Sequence, residues 1–439
     1  MSENENKNSH LNLAYKDSVM FAPLKNRMIN RMKQQNRQPL MYINGGTYGC
    51  AFRPPLPCSN KEKQQILKII KKPMIGKYFD DNNELLDEKY EFEKLKEINA
   101  ESKFTPKMYL NCNVNTTQLN SQDKYEFEKC KFDDKYNHKN EKKRHRQIVF
   151  EDGGSDLRKI SKQFSFFEYF PYMLVLFEGI LTMHKKQYIH NDIKSQNIVF
   201  NRNTKRMLFI DFGITNSYQN IYNYQFARFV KIVYSTYPPE FTMFRLLSEN
   251  RDKENPFISW DFFQNVDQNF TENNMKKHSN NDLMFRLSID KNDIIRHSTK
   301  KFNELISYTY RMNELKYFYE YIKNKYLEIK KKYINYFKDP DDIKRANSEI
   351  LKIIFSEHAN KICVYAMGST IHSCFLNSLS NTYLERNRNI EFIEKAYPSI
   401  FGFIIKLIEP NPIKRIGPEK ALEEYKMIYN KLQLQNFKT

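Results

Sequence analysis

The stretch that decides the fold is His190-Asn191-Asp192-Ile193-Lys194-Ser195-Gln196-Asn197, followed further on by Asp211-Phe212-Gly213. Between the two lie short apolar runs at 198–201 and 206–210, separated by polar residues, which read as a hairpin. Asn197 and Asp211 stand at opposite ends of that hairpin. Three ligand-type polar residues on loops beside apolar strands, Asp192, Asn197 and Asp211, have no packing reason to be there. Asn197 and Asp211 offer hard oxygen donors of the kind Mg2+ takes. Asp192 can accept the proton of an incoming hydroxyl, or orient it. Lys194 can offset anionic charge nearby.

Working outward, residues 164–187 read as an apolar helix interrupted early by Pro171. Ile148-Val149-Phe150 forms a short strand before Asp152-Gly153-Gly154. Residues 80–99 read as a helix with Leu85, Leu86, Phe92, Leu95 and Ile98 at its apolar positions. From 41 to 70 strand-like apolar runs are split by glycines, and residues 1–40 form a polar, basic tail. Downstream, 302–356 is densely charged and helical. There Leu315, Phe318, Ile322, Tyr326, Ile329, Tyr333 and Tyr336 recur at helical spacing, which reads as an appended helical layer before it reads as a docking stripe. Residues 361–430 return to apolar helical periodicity. Strands come first and helices later, an α+β plan in two lobes, 41–152 and 153–439. Two polar insertions interrupt it, about 111–147 (solvated) and about 241–360.

At this point the chain resembles the eukaryotic-type Ser/Thr protein kinase family, over roughly 41–110, 146–240 and 361–430. The resemblance implies that Asp192 is the catalytic base, that Lys194 lies near the γ-phosphate of ATP, and that Asn197 and Asp211 hold Mg2+, with Mn2+ possible. Ile43-Asn44-Gly45-Gly46-Thr47-Tyr48-Gly49-Cys50-Ala51 resembles the glycine-rich phosphate loop. Ile66-Leu67-Lys68-Ile69-Ile70 resembles the third strand, so Lys68 would hold the α- and β-phosphates and Ile66 would line the adenine site. Glu91 has the spacing of the glutamate that pairs with that lysine, with Glu88 and Glu84 as alternatives. The run 148–157 resembles the hinge: Glu151 and Gly153 would meet adenine and Asp156 the ribose. Pro238-Pro239-Glu240 and Glu409-Pro410-Asn411-Pro412-Ile413-Lys414-Arg415 resemble the motifs whose glutamate and arginine pair.

Departures from the family pattern carry their own message. Asn191 replaces the arginine that usually receives an activating phosphate, which removes the main anchor for that mode of activation. Cys363 stands where the family has an aspartate bracing the catalytic loop. The two read as a coupled loss, since without the arginine its neighbour needs no carboxylate. Lys194 points to Ser/Thr over Tyr substrates by resemblance. The alternative to catalysis is a pseudokinase scaffold that binds nucleotide or partners.

The composition sets the remaining bounds. Lys and Arg number 71 against 52 Asp and Glu, a net charge of +19. That excess favours acidic partners, and with ATP and a protein substrate already implied it leaves nucleic acid possible but not favoured. The six cysteines form no CxxC pair, and at that density they read as reduced thiols without a disulfide scaffold. The N-terminal segment lacks an apolar signal region, and the most apolar window, 172–177, runs into Glu178. A soluble, intracellular chain with no membrane span is therefore expected, cytoplasmic or, for a viral protein, in the virion. The bias toward Asn, Lys, Ile and Tyr and the Asn-rich insertions resemble kinases of large DNA viruses.

Overall fold

The computed structural model describes residues 38–46, 49–79, 82–99, 102–130, 145–221, 237–238, 240, 308–333, 340–380 and 390–436. The chain divides into two compact units, residues 1–89 with 107–152 and residues 90–106 with 153–439.

The first unit is built on a five-stranded antiparallel sheet of order β1-β2-β3-β5-β4. Strands β1 (Met41–Gly46) and β2 (Gly49–Arg53) form a hairpin with Gly46 opposite Gly49. Helix α1 (Lys61–Ile69) then intervenes before β3 (Met74–Phe79). This corrects the expectation that 66–70 is the third strand. The alternation of Ile66, Lys68 and Ile70 imitates a strand, but the Asn60 side chain accepts from the Lys63 N–H and starts a helix upstream of it. Only Leu67 of that helix is buried, while Ile66 and Ile69 are 45% and 75% exposed.

Strands β4 (Met108–Asn113) and β5 (Arg146–Glu151) complete the sheet. Ala51, Lys77 and Ile148 form one cross-strand row, and Cys50, Tyr78 and Gln147 form the next. Side chains alternate between faces along a strand, so Cys50, Phe52 and Tyr78 share one face and Ala51 and Lys77 the other. On the first face lies a small core with Leu40, Leu56, Val114 and Leu119. Helix α3 (Ser121–Glu128), reached after α2 (Asn82–Ile98), covers it. Phe127 packs on Phe52 and Tyr78 with ring centroids 5.8 and 5.2 Å apart. Asp123 and Glu126 accept the backbone N–H groups of Leu40 and Tyr42, each at 3.0 Å. Residues 111–130 are therefore not solvated insertion but edge strand and cover; the apolar residues Val114, Leu119 and Phe127 were too thinly spread to register as a period.

Cysteine usage is corrected as well. Cys50 pairs with Cys130 and Cys58 with Cys112, leaving Cys363 and Cys374 as the free, buried thiols among the described residues. Counting thiols says nothing about proximity; the Cα atoms here stand 5.9 and 5.7 Å apart, within bridging range.

In the second unit, α4 (Leu157–Gln163), α5 (Phe166–Tyr169) and α6 (Leu174–Lys185) pack with α9 (Ile362–Ser380), α10 (Ile390–Leu407) and α11 (Pro418–Asn436) around one large core. The apolar stretch 166–185 is the one candidate for membrane crossing among the described residues. A 3-10 turn at Phe170–Met173, carrying Pro171, breaks it, and Phe166, Phe170, Met173, Leu176, Phe177 and Ile180 are all buried in the core. It is a core element. Helices α7 (Tyr308–Tyr333) and α8 (Pro340–Ser356) form the layer the sequence implied, with Phe318, Ile322, Tyr326 and Ile329 turned into the same core. The side chains of Leu315 and Tyr333, all of Tyr336, and residues 241–307 lie outside the described residues. Two small sheets support the loops treated next: β6 (Ser155–Asp156) with β8 (Ile198–Asn201) and β9 (Arg206–Phe209), and β7 (Tyr188–Ile189) with β10 (Asn216–Ser217).

Cys130→Ser should lower the stability of the oxidised protein by about 2–4 kcal/mol, because the bridge it removes closes a long loop. Urea unfolding checks this, and in excess reductant the difference between variant and wild type should largely disappear.

Candidate active site

Loop 190–197 hangs between β7 and β8. His190 is fully buried, its ring against Phe212 and Phe209 at centroid distances of 4.4 and 5.3 Å. Its backbone carbonyl accepts from Thr215 Oγ1 at 3.0 Å. Burial pulls its pKa down to about 4, so the imidazole is neutral at physiological pH and serves as packing. Asn191 takes a left-handed backbone conformation, φ 62°, which asparagine tolerates better than most residues.

Asp192 is buried. Its Oδ2 accepts from Lys194 Nζ and from Asn197 Nδ2, both at 2.7 Å, and Asn197 Nδ2 also donates to the Asp192 carbonyl at 3.1 Å. Its Oδ1 is buried with no hydrogen-bond partner among the described residues. Leaving such an atom unsatisfied costs about 1–3 kcal/mol, and a carboxylate oxygen held in that condition is set to receive a donor. Burial raises the Asp192 pKa and the nearby Asp211 charge adds to that, while Lys194 and Asn197 oppose it.

Asp211 follows β9 with a left-handed φ of 63° and an exposed side chain. Its charge is felt at both Asp192 and His190. Because the Asn197 amide nitrogen is turned toward Asp192, its oxygen is turned away. The donor set is thus one amide oxygen and one carboxylate, both hard. Two protein ligands suit a cation that keeps waters and takes phosphate oxygens for the rest, as Mg2+ does. The residues present fit such an ion.

The end of the following segment is anchored as its two motifs implied. Arg415 Nη1 and Nη2 donate to Glu240 Oε1 and Oε2 at 2.6 and 2.9 Å, and both side chains are buried. Arg415 Nε donates to the Glu409 carbonyl at 2.8 Å, and its guanidinium lies 4.7 Å from the Tyr365 ring centre. Cys363 sits under the loop with the backbone N–H groups of His190 and Asn191 directed at its sulfur. Burial pushes its thiol up to about 11, so it is a neutral acceptor.

The remaining expected residues divide by unit. In the first, Asn44, Gly45 and Gly46 close β1, and Thr47 and Tyr48 lie outside the described residues. Gly49 starts β2 where a Cβ would come within 2.6 Å of the Tyr78 carbonyl oxygen, so glycine is required. Ala51 faces the side of the sheet that Lys77 faces, but Cys50 points the other way into its disulfide, so its side chain is not a nucleotide contact. Ile66 and Lys68 are corrected outright, because both are exposed on α1 and belong to no strand. The lysine of the third strand is Lys77, which the sequence reading missed. Its signal was there in Met74-Ile75-Gly76-Lys77-Tyr78-Phe79 directly after Pro73, with Gly76 in a place where a Cβ would meet Gln147 Oε1 at 2.3 Å. Glu151 closes β5, and its N–H donates to the Lys107 carbonyl at 2.8 Å.

In the second unit, Gly153 and Gly154 are required by close packing. A Cβ on Gly153 would lie 2.3 Å from Val199 Cγ2, and Gly154 has φ 90° with the Phe200 carbonyl oxygen 2.2 Å from its Cβ position. Asp156 caps α4 by accepting from the Lys159 N–H at 3.0 Å. Glu91 lies on α2; its side chain, with those of Glu84 and Glu88, lies outside the described residues.

With the loop, the two metal-type donors and the Glu240 anchor in place, the relatives can be considered. Residues 134–241 match the family model of the protein kinase domain. The match spans about a quarter of the chain and contains loop 190–197, Asp211-Phe212-Gly213 and Pro238-Pro239-Glu240. No curated protein matches the chain. Together with the antiparallel sheet of the first unit and the helices of the second, the match supports an α+β fold of the protein-kinase type. A kinase domain also implies, in general terms, phosphoryl transfer from ATP to protein with a divalent metal.

Arg415→Ala should destabilise the protein by about 3–5 kcal/mol, because it leaves Glu240 buried and unpaired. The double variant Glu240→Leu with Arg415→Leu should recover much of that loss. Urea denaturation of both variants measures the difference.

Proposed function

We propose that this chain transfers the γ-phosphate of ATP to serine or threonine hydroxyls of protein substrates. The observation that carries the reading is Asp192, buried, with one carboxylate oxygen held by Lys194 and Asn197 and the other without a partner. In this mechanism Oδ1 accepts the hydrogen bond of the incoming hydroxyl and takes its proton as the oxygen attacks the γ-phosphorus, while the bond from that phosphorus to the β,γ-bridging oxygen breaks and ADP leaves. A pKa raised above the ordinary carboxylate value makes Asp192 a better proton acceptor than an exposed aspartate. Lys194, bonded to the same carboxylate, offsets charge on the transferring group. Asn197 and Asp211 would hold Mg2+, or Mn2+, and the bound ion would neutralise phosphate charge. Lys77 would take the role first expected of Lys68, binding the α- and β-phosphates. The backbone of 44–51 would cradle phosphate oxygens, Glu151 and Gly153 would meet adenine, and Asp156 the ribose. Lys194 supports serine and threonine over tyrosine.

Phosphate transfer from labelled ATP with Mg2+ to casein and to a basic protein tests the reading. Asp192→Asn should lower transfer by roughly 10²-fold or more, with phosphoserine or phosphothreonine as the wild-type product. The same variant should keep or raise the Tm. A carboxyl whose folded pKa is raised contributes stability only below its unfolded pKa, and loses it as pH rises through the folded value. At neutral pH the ionised, desolvated form is therefore a burden that asparagine lifts. Silence from both proteins despite Mg-ATP binding would favour a scaffold without catalysis.

Lys77→Met and Lys68→Met separate the two lysine assignments. The first should reduce transfer by about 10²-fold, the loss typical for one electrostatic donor. The second should leave transfer unchanged, and equal losses from both would reject the reassignment.

A further inference from the structure

We propose that Tyr237 is a positioning residue for the catalytic loop, holding it in its working conformation by a buried neutral hydrogen bond where no phosphate can be anchored. The consequence for rate rests on the kinase activity proposed above, while the effect on the loop itself does not.

The case follows from the backbone groups of residues 190–192. The N–H groups of His190 and Asn191 are directed at Cys363 Sγ. The His190 carbonyl accepts from Thr215 Oγ1 at 3.0 Å. The Asp192 N–H donates to His190 Nδ1 at 3.3 Å, and the Asp192 carbonyl accepts from Asn197. The remaining group is the Asn191 carbonyl, immediately before the base, and it accepts from Tyr237 Oη at 2.5 Å. Asn191 is the strained member of the set, a side chain other than glycine at φ 62°. Such a conformation persists only where the surroundings over-determine it.

Tyr237 is equipped for that task. It is 1% exposed, and it lies three residues before Glu240, whose bidentate pair with Arg415 fixes this end of the segment. Its hydroxyl bridges 46 residues of sequence to reach the loop. At 191 itself there is no cation to receive an activating phosphate. The Asn191 side chain is an uncharged amide, with Oδ1 buried and unpartnered among the described residues. Every group that grips residues 190 and 191 is neutral, so the grip needs no covalent modification to form.

Tyr237→Phe tests this, since it keeps the ring and removes only the hydroxyl. Two quantities are read on the full chain: steady-state transfer from ATP, and hydrogen–deuterium exchange of the backbone amides of 188–197. The expected result is a kcat lowered by about tenfold or more, as for a small misplacement of the base, with the KM for ATP unchanged. Faster exchange confined to 188–197 and neighbouring loop amides, with the Tm near that of wild type, should accompany it. An unchanged kcat in an active enzyme overturns the proposal, and so does unchanged exchange in that segment. Should wild type itself transfer no phosphate, the activity reading fails, and exchange alone then decides whether Tyr237 positions the loop.

Discussion

The buried pair of Arg415 and Glu240 is the interaction on which the rest of the second unit's site depends. Two charges taken out of water are tolerated only when every lone pair and proton is used. Here the guanidinium forks onto both carboxylate oxygens, spends a third donor on the Glu409 carbonyl and rests on the Tyr365 ring. Breaking one end leaves a charge with nowhere to go, so the two chain segments are tied together. The tie is reinforced from the inserted helix α7. Glu314, near its start, accepts from Asn411 Nδ2 at 3.1 Å and pairs with Lys414 at 2.6 Å, on the same turn that presents Arg415. An element that reads as an appendage in the sequence thus shares hydrogen bonds with the segment that presents Arg415 to Glu240.

How much of this was legible depended on whether the signal was local. The grouping within loop 190–197 was readable because Asp192, Lys194 and Asn197 stand at fixed short spacings in the chain, and the structure brings them within hydrogen-bond reach. The Glu240–Arg415 pair was readable because each end lies in its own short motif. The third strand was not, because Ile66-Leu67-Lys68-Ile69-Ile70 satisfies a strand's alternation while Asn60, six residues earlier, starts a helix. A capping residue outweighed a pattern. The disulfides and the cover formed by α3 were illegible for a different reason. Cys50 and Cys130 are 80 residues apart, and which thiols meet is settled by tertiary packing that no local window contains.

Around Asp192 the protein has exchanged charge for neutrality. His190 is kept uncharged by burial, Cys363 is kept protonated by burial, and Asn191 carries no charge at all. The ionic groups left to act on the carboxylate are Lys194 and Asp211, of opposite sign. Residues 190 and 191 are held by neutral bonds, which answer weakly to ionic strength. Their setting is an outcome of folding.

The cover on the far side of the first unit's sheet has a thermodynamic meaning for any ligand that meets the near side. Strands β1 and β2 are clamped from behind by Asp123, Glu126, the Phe127 packing and the Cys50–Cys130 bridge. A glycine-bearing hairpin left to itself would have many backbone conformations to surrender on binding. Strands β1 and β2 have already surrendered most of theirs, during folding and at oxidation. Any ligand that met those strands would bind with an affinity coupled to the redox state of Cys50 and Cys130.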